Sequence, residues 1–222
     1  MEGGKKNALR AYGYWAGINL IVFALLFPLA DAVAEWRGGA WKIYFDFELR
    51  TALMPQFILP YHSMSILFLL PPFLLNASEM AVLGKRVLVA TLLGCATFLI
   101  MPAQLGFVRV MPDGMLYQRM FAGIFLLDGT HNLVPSLHVV YASLSIYSYS
   151  QAVRRSGARV LLWLWWCLIV SATLLVHQHH LADVVSGLAL AFLLCCWDPS
   201  TRVSRRSAKT QKTGIPADET AA

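Results

Sequence analysis

Residues 177–187 read HQHHLADVVSG, and the reading of this run decides how the rest of the chain is understood. It opens Leu181 to Trp197, a segment otherwise almost wholly apolar. Ionisable groups inside a membrane are costly, and by default they mark function. His179 and Asp183 are four residues apart, so a helix puts them on one face, one turn from each other. A carboxylate in that position can hold an imidazole in one tautomer and stabilise its cation. His180 falls about 100° round the helix from His179, so His177 and His180 read as supporting or solvent-facing groups.

A second run, Asp128 to His138, reads DGTHNLVPSLH and opens another apolar segment. Pro135 suits the first helical position, where a missing amide hydrogen costs nothing. The amides around Ser136, Leu137 and His138 would then face out of the helix start as an anion site. One histidine beside an anion cradle, and another backed by a carboxylate, point to phosphoryl chemistry. Two other readings stay open from the residues alone. His179 with Asp183 could seal a helix end, and the histidines with Asp183 could hold a transition metal.

Composition sets the class. Of 222 residues, 58% are hydrophobic and 14% charged, where a soluble domain carries about 25% charged. The expectation is an all-α, polytopic membrane bundle of six transmembrane helices plus an interfacial helix. The cysteines, Cys95, Cys167, Cys195 and Cys196, lie in apolar runs without ligand or disulfide spacing. The net charge of +6 is spread rather than clustered, which argues against nucleic acid and for membrane sidedness.

The expected spans are 12–34, 57–75, 87–101, 135–151, 160–176 and 181–197. Residues 1–11 precede them as a cytoplasmic N-terminus, 12–197 form the membrane domain, and 198–222 read as a basic, disordered tail. Ala32-Val33-Ala34 also fits a signal-cleavage pattern, but Tyr12, Tyr14 and Trp15 look like an interfacial aromatic belt. Trp36 to Met54 reads as an interfacial helix, with Trp41, Phe45, Leu49 and Ala52 on one face. It would serve as a lid or lipid-access ramp, or as a plain connector. Pro60 and Pro71-Pro72 should kink or end the second span, and residues 76–86 read as a loop. Met115 to Leu127 would be a short re-entrant or interfacial helix. On the fourth span His138, Tyr141, Ala142, Ser145, Ser148 and Tyr149 share a face that should look into the bundle.

Six spans put both termini on one side. Lys5, Lys6, Arg10, Lys85, Arg86, Arg154, Arg155, Arg159 and five basic tail residues fall there, against Arg37, Lys42, Arg50, Arg109 and Arg119 opposite. The positive-inside rule then places both termini in the cytoplasm. Arg109, Ser136, His138, His179 and Asp183 meet on the extracytoplasmic side, and the charge count that says so is independent of the histidines.

PSLH at 135–138 and HQHHLADVVSG at 177–187 resemble the second and third motifs of the type 2 phosphatidic acid phosphatase superfamily. The similarity is closest to the branch of inositol phosphorylceramide synthases, sphingomyelin synthases and related bacterial phosphatases. The branch pattern is met by Asp128, Asn132, Pro135, Ser136, Leu137 and His138, then by Gln178, His179, His180, Asp183 and Val184. The resemblance implies a membrane enzyme without cofactor or metal, acting on a lipid phosphate. His179 would be the nucleophile that becomes phosphohistidine, Asp183 its orienting carboxylate, and His138 the general acid and base. Ser136 and Arg109 would bind the phosphate. Its partners would be a lipid-phosphate substrate and membrane lipids, with no nucleic acid. Water as acceptor makes a phosphatase, a lipid alcohol makes a phosphotransferase. The chain departs from other branches at Pro102, where a lysine is usual, at Val110 for a proline, at Thr173 for an arginine and at Leu137 for a glycine.

Overall fold

A computed structural model describes residues 2–197. The expected tail, 198–222, lies outside the described residues. Eight α-helices account for most of the rest: α1 (Glu2–Arg37), α2 (Ile58–Leu69), α3 (Pro71–Leu74), α4 (Ala77–Ile100), α5 (Met115–Leu127), α6 (Leu137–Ala152), α7 (Ser156–Leu175) and α8 (Leu181–Cys196). The all-helical expectation holds. Three of these helices, α1, α4 and α7, are long and apolar enough to cross a membrane. The segments expected as the fourth and sixth spans, α6 and α8, have 16 residues each, about 24 Å of helix against a hydrocarbon core of about 30 Å.

The helices alternate in direction. The end of α1 meets the end of α4 where Arg37 donates to the Leu99 carbonyl. The start of α2 meets the end of α7 where the Met54 amide donates to Leu175. At the other end Tyr12 of α1 donates to the Phe68 carbonyl of α2. There Arg86 donates to the carbonyls of Cys195 and Trp197, each at 2.9 Å. A cation suits that place, because the carbonyls closing α8 carry the negative end of its dipole. The starts of α6 and α8 therefore share one end of the bundle with the finishes of α1, α4 and α7.

Helix α6 is the axis. Of the face expected to look inward, Tyr141, Ala142, Ser145 and Tyr149 are buried and His138 and Ser148 are half-buried, while Leu144 and Ile146 elsewhere on the helix are buried as well. Tyr141 bonds Thr91 of α4 at 2.7 Å, and Tyr149 donates to the Leu67 carbonyl of α2. From α7, Trp166 donates to Ser143 and Trp165 to Ser63. Small residues set the closest approaches. A Cβ on Gly187 of α8 would stand 2.8 Å from the Ser136 carbonyl, and one on Gly94 of α4 would stand 2.7 Å from Leu137 Cδ2. Contacts that short exclude any side chain without a shift of backbone or neighbour.

Several expectations are corrected. The interfacial helix over 36–54 is absent: α1 runs on to Arg37, and Gly38 and Gly39 turn the chain at φ +63° and +78°, a region that glycine tolerates. One 3₁₀ turn, Glu48–Arg50, follows, and Trp41 is bridged to Ala103 instead. The loop expected at 76–86 is the start of α4, capped by Asn76 and Glu79 in a reciprocal capping box. Pro135 is not the first helical residue; Ser136 is the N-cap and α6 begins at Leu137. The second span breaks at Pro71-Pro72 as expected, while Pro60 sits in the first turn of α2 without ending it. Met115–Leu127 is a helix with the expected limits.

Candidate active site

Helix α7 ends in a tight turn that carries the histidine run. The amides of Gln178 and His179 both donate to the Thr173 carbonyl, at 3.2 and 3.0 Å, and His177 adopts φ +58° to make the reversal. That left-handed conformation is uncommon for a residue with a side chain. Thr173, where other branches of the resembling family carry arginine, is fully buried and serves here as backbone acceptor. The turn delivers His179 just ahead of α8, whose N-cap is His180.

Asp183 then organises the start of α8. Its Oδ2 accepts from the His180 amide at 2.8 Å and faces His179 Nδ1 at 3.3 Å. Its own carbonyl accepts from the Ser136 amide at 3.0 Å, which ties α8 to the start of α6. Asp183 is buried, with side-chain exposure of 2% beside 7% for His179. With Asp183 accepting, His179 Nδ1 carries the proton and Nε2 is left with a free lone pair.

The turn from Asp128 to Ser136 brings up the other histidine. The centres of the His138 and His179 rings are 5.8 Å apart. Both rings line one small hollow with Phe27, Asp128, Asn132 and Gln178. No lysine or arginine lines it among the described residues. Tyr61 of α2 packs its ring on His138 at 4.5 Å, donates to Asp128 Oδ2 at 2.6 Å and lies 3.4 Å from His138 Nδ1.

The remaining residues expected here stand behind this hollow. Ser136 is fully buried; its Oγ accepts from the Val139 amide at 3.4 Å, and its amide is taken by Asp183. Arg109 directs its two terminal nitrogens at the carbonyls of Phe125, Asp128 and Gly129. It thereby closes α5 and holds the turn that presents Asp128. Burial lowers the Arg109 pKa, with Asp128 and Asp31 acting in the opposite direction. Asp31 of α1 supports the same turn by accepting from the His131 amide at 3.1 Å, and Asn132 donates to the Phe27 carbonyl at 2.6 Å. Among the described residues no group of three or more His, Cys, Asp or Glu side chains is placed to hold a metal ion.

His177 and His180 are not free in solvent. His180 is 1% exposed, and it belongs to a stack of four rings, Tyr44, His180, Phe107 and His177, with centres 4.6, 4.6 and 3.9 Å apart. This stack joins the connector after α1, the connector after α4 and the histidine turn. His180 Nε2 accepts from the Gly106 amide at 3.2 Å, so Nδ1 carries the proton and points to Glu48 Oε2 at 3.5 Å. Glu48 is itself buried and accepts from the Leu181 amide at 2.7 Å, capping α8 from outside. Burial lowers the His180 pKa, with Asp183 and Glu48 partly opposing. Sequence reasoning missed Glu48 and Tyr61. Neither leaves a trace in the sequence: Glu48 shares its connector with Lys42, Asp46 and Arg50, and Tyr61 stands in an apolar run.

Comparison with known proteins adds one finding. The PAP2 superfamily model matches residues 49–197, which contain every residue of the hollow except Phe27. No curated protein and no solved structure matches.

Proposed function

The chain belongs to the PAP2 superfamily, whose members are typically phosphatases or phosphotransferases, and from that premise we propose that it is a lipid-phosphate phosphatase working through phosphohistidine. The observation that carries the reading is the pairing of His138 and His179 across one hollow, with Asp183 on the far nitrogen of His179. His179 Nε2 attacks phosphorus. His138 protonates the departing lipid oxygen, then takes a proton from water as the water attacks the phosphohistidine. Asp183 stabilises the charge that His179 acquires. The starts of α6 and α8 lend the positive ends of their dipoles to the phosphoryl oxygens, and Arg109 adds charge from behind the turn. Ser136 serves by fixing the start of α6.

In this reading the chain crosses the membrane six times. Joined α2 and α3, α6 and α8 complete the passes begun by α1, α4 and α7. Both termini are cytoplasmic, and the hollow opens on the extracytoplasmic side of a bacterial cytoplasmic membrane. The excess of lysine and arginine at the opposite end of the bundle supports that orientation.

A second reading is transfer to a lipid alcohol, as in the synthase-like branch. It is favoured by the absence, among the described residues, of lysine and arginine from the hollow and by the Asp128 carboxylate in its wall. Such a wall suits a phosphodiester, with one negative charge, better than a monoester with two.

The test is the full chain in detergent with a panel of lipid phosphates, with and without lipid alcohols, assayed for free phosphate against a new phospholipid. Turnover should persist in EDTA and leave an acid-labile phosphoenzyme. His138→Ala should cost roughly 10²–10⁴ in rate, and His179→Ala should abolish labelling. Full turnover by His179→Ala overturns the assignment.

A further inference from the structure

The two imidazoles of the hollow are held differently. His179 meets its carboxylate directly, through Nδ1 and Asp183 Oδ2 at 3.3 Å. His138 meets one through a phenol: Tyr61 stands between its Nδ1, at 3.4 Å, and Asp128 Oδ2, at 2.6 Å. The hydroxyl has one hydrogen, and the short contact commits it to Asp128, because a carboxylate can only accept. The Tyr61 oxygen is then left to accept, so the group facing it must be His138 Nδ1–H.

We propose that Tyr61 and Asp128 are the positioning residues of His138, a hydrogen-bonded chain that fixes its Nδ1–H tautomer and turns Nε2 to the hollow. This rests on the reading of His138 as acid and base given above. The tilted packing of the Tyr61 ring on the His138 ring, with centres 4.5 Å apart, holds the imidazole plane as well. No atom is left over in the cycle. Nε2 takes one proton from water and returns one to a leaving oxygen, while Nδ1–H stays on nitrogen and the phenol proton stays on Tyr61. The positive charge present between those steps is met by Asp128 through the hydroxyl. Arg109 secures the far side by holding the Asp128 carbonyl at 2.7 Å.

The arrangement also separates the two histidines chemically. Direct contact of Nδ1 with a carboxylate suits an imidazole that must carry a phosphoryl group on Nε2 and a positive charge on the ring. A carboxylate set back behind a hydroxyl leaves the proton of His138 easier to give up, which suits an acid.

Two measurements test the chain. The first needs no substrate. In full-length protein carrying ¹⁵N-labelled histidine, nitrogen–proton correlation spectra should assign His138 to the Nδ1–H tautomer, and Tyr61→Phe should shift it toward Nε2–H or a mixture. The second compares kcat/KM for an alkyl phosphate, whose leaving oxygen needs a proton, with that for p-nitrophenyl phosphate, whose leaving group does not. Tyr61→Phe should lose roughly 10–100-fold on the alkyl ester, within the range for acid–base catalysis, and under threefold on the nitrophenyl ester. In a His138→Ala background Tyr61→Phe should cost nothing further. An Nε2–H tautomer in the unmodified protein, or an equal loss on both esters, overturns the chain. Absence of phosphoryl chemistry from the unmodified protein with the tautomer as stated would overturn the functional reading and leave the chain standing.

Discussion

At the scale of single residues, the site depends on atoms that are absent. Gly187 lets α8 approach the Ser136 carbonyl, and the Asp183 carbonyl in turn holds the Ser136 amide. Gly187→Ala should therefore pry apart the starts of α6 and α8. Overpacking of this kind costs about 1–3 kcal/mol, and it should appear as a lower apparent unfolding temperature in micelles and reduced turnover. A control at Gly13, which has open space around it, should show neither. The pairing of His179 with Asp183 is legible in their four-residue spacing, but His179 sits in the turn just ahead of α8 and not, as that spacing suggests, on the helix itself. Tyr61 is not legible, since nothing local distinguishes a tyrosine that faces a histidine 77 positions away from one that faces lipid.

At the scale of elements, the connectors carry more than their composition suggests. Glu48 accepts from Leu181 and faces the protonated nitrogen of His180. Glu48→Ala would leave the Leu181 amide without its acceptor, at about 1–3 kcal/mol for an unsatisfied group. Thermal unfolding should register that loss, and Glu48→Gln, which retains an acceptor, should recover much of it. The same corner sets a pH dependence. His180 is held below its ordinary pKa by burial, so the folded chain binds fewer protons there than the unfolded chain. Acid then favours unfolding as pH falls through the ordinary histidine range near about 6.5. Apparent unfolding temperature should fall between pH 7.5 and 5.5, with a smaller fall in His180→Asn. Trp41, Phe45 and Leu49 match helical spacing, yet the 36–54 stretch holds only the end of α1 and one 3₁₀ turn. Their neighbours Glu48 and Tyr44 are spent on tertiary contacts that periodicity does not register. The start of α4, by contrast, is signalled locally by the capping pair Asn76 and Glu79.

At the scale of the molecule, alternating helix direction gathers the histidines at one end of the bundle and most of the basic residues at the other. The sidedness proposed here can be tested in intact cells. In a chain freed of its four cysteines, a membrane-impermeant maleimide should label Lys42→Cys and spare Ser156→Cys until the cells are permeabilised. The reverse pattern would put the hollow in the cytoplasm. Fold class was readable from hydropathy alone, but the lengths of individual passes were not. Helices α6 and α8 are shortened by the turns that deliver His138 and His179, so the site takes residues from the helices that carry it. The contact between Gly94 and Leu137 extends this coupling from the site into the bundle. The two positions share a single allotment of volume, so neither can be altered independently. Gly94→Ala should be damaging in the native background and benign beside Leu137→Ala, each lesion masking the other. Where a homologue has glycine in place of Leu137, the residue opposite should be larger than glycine.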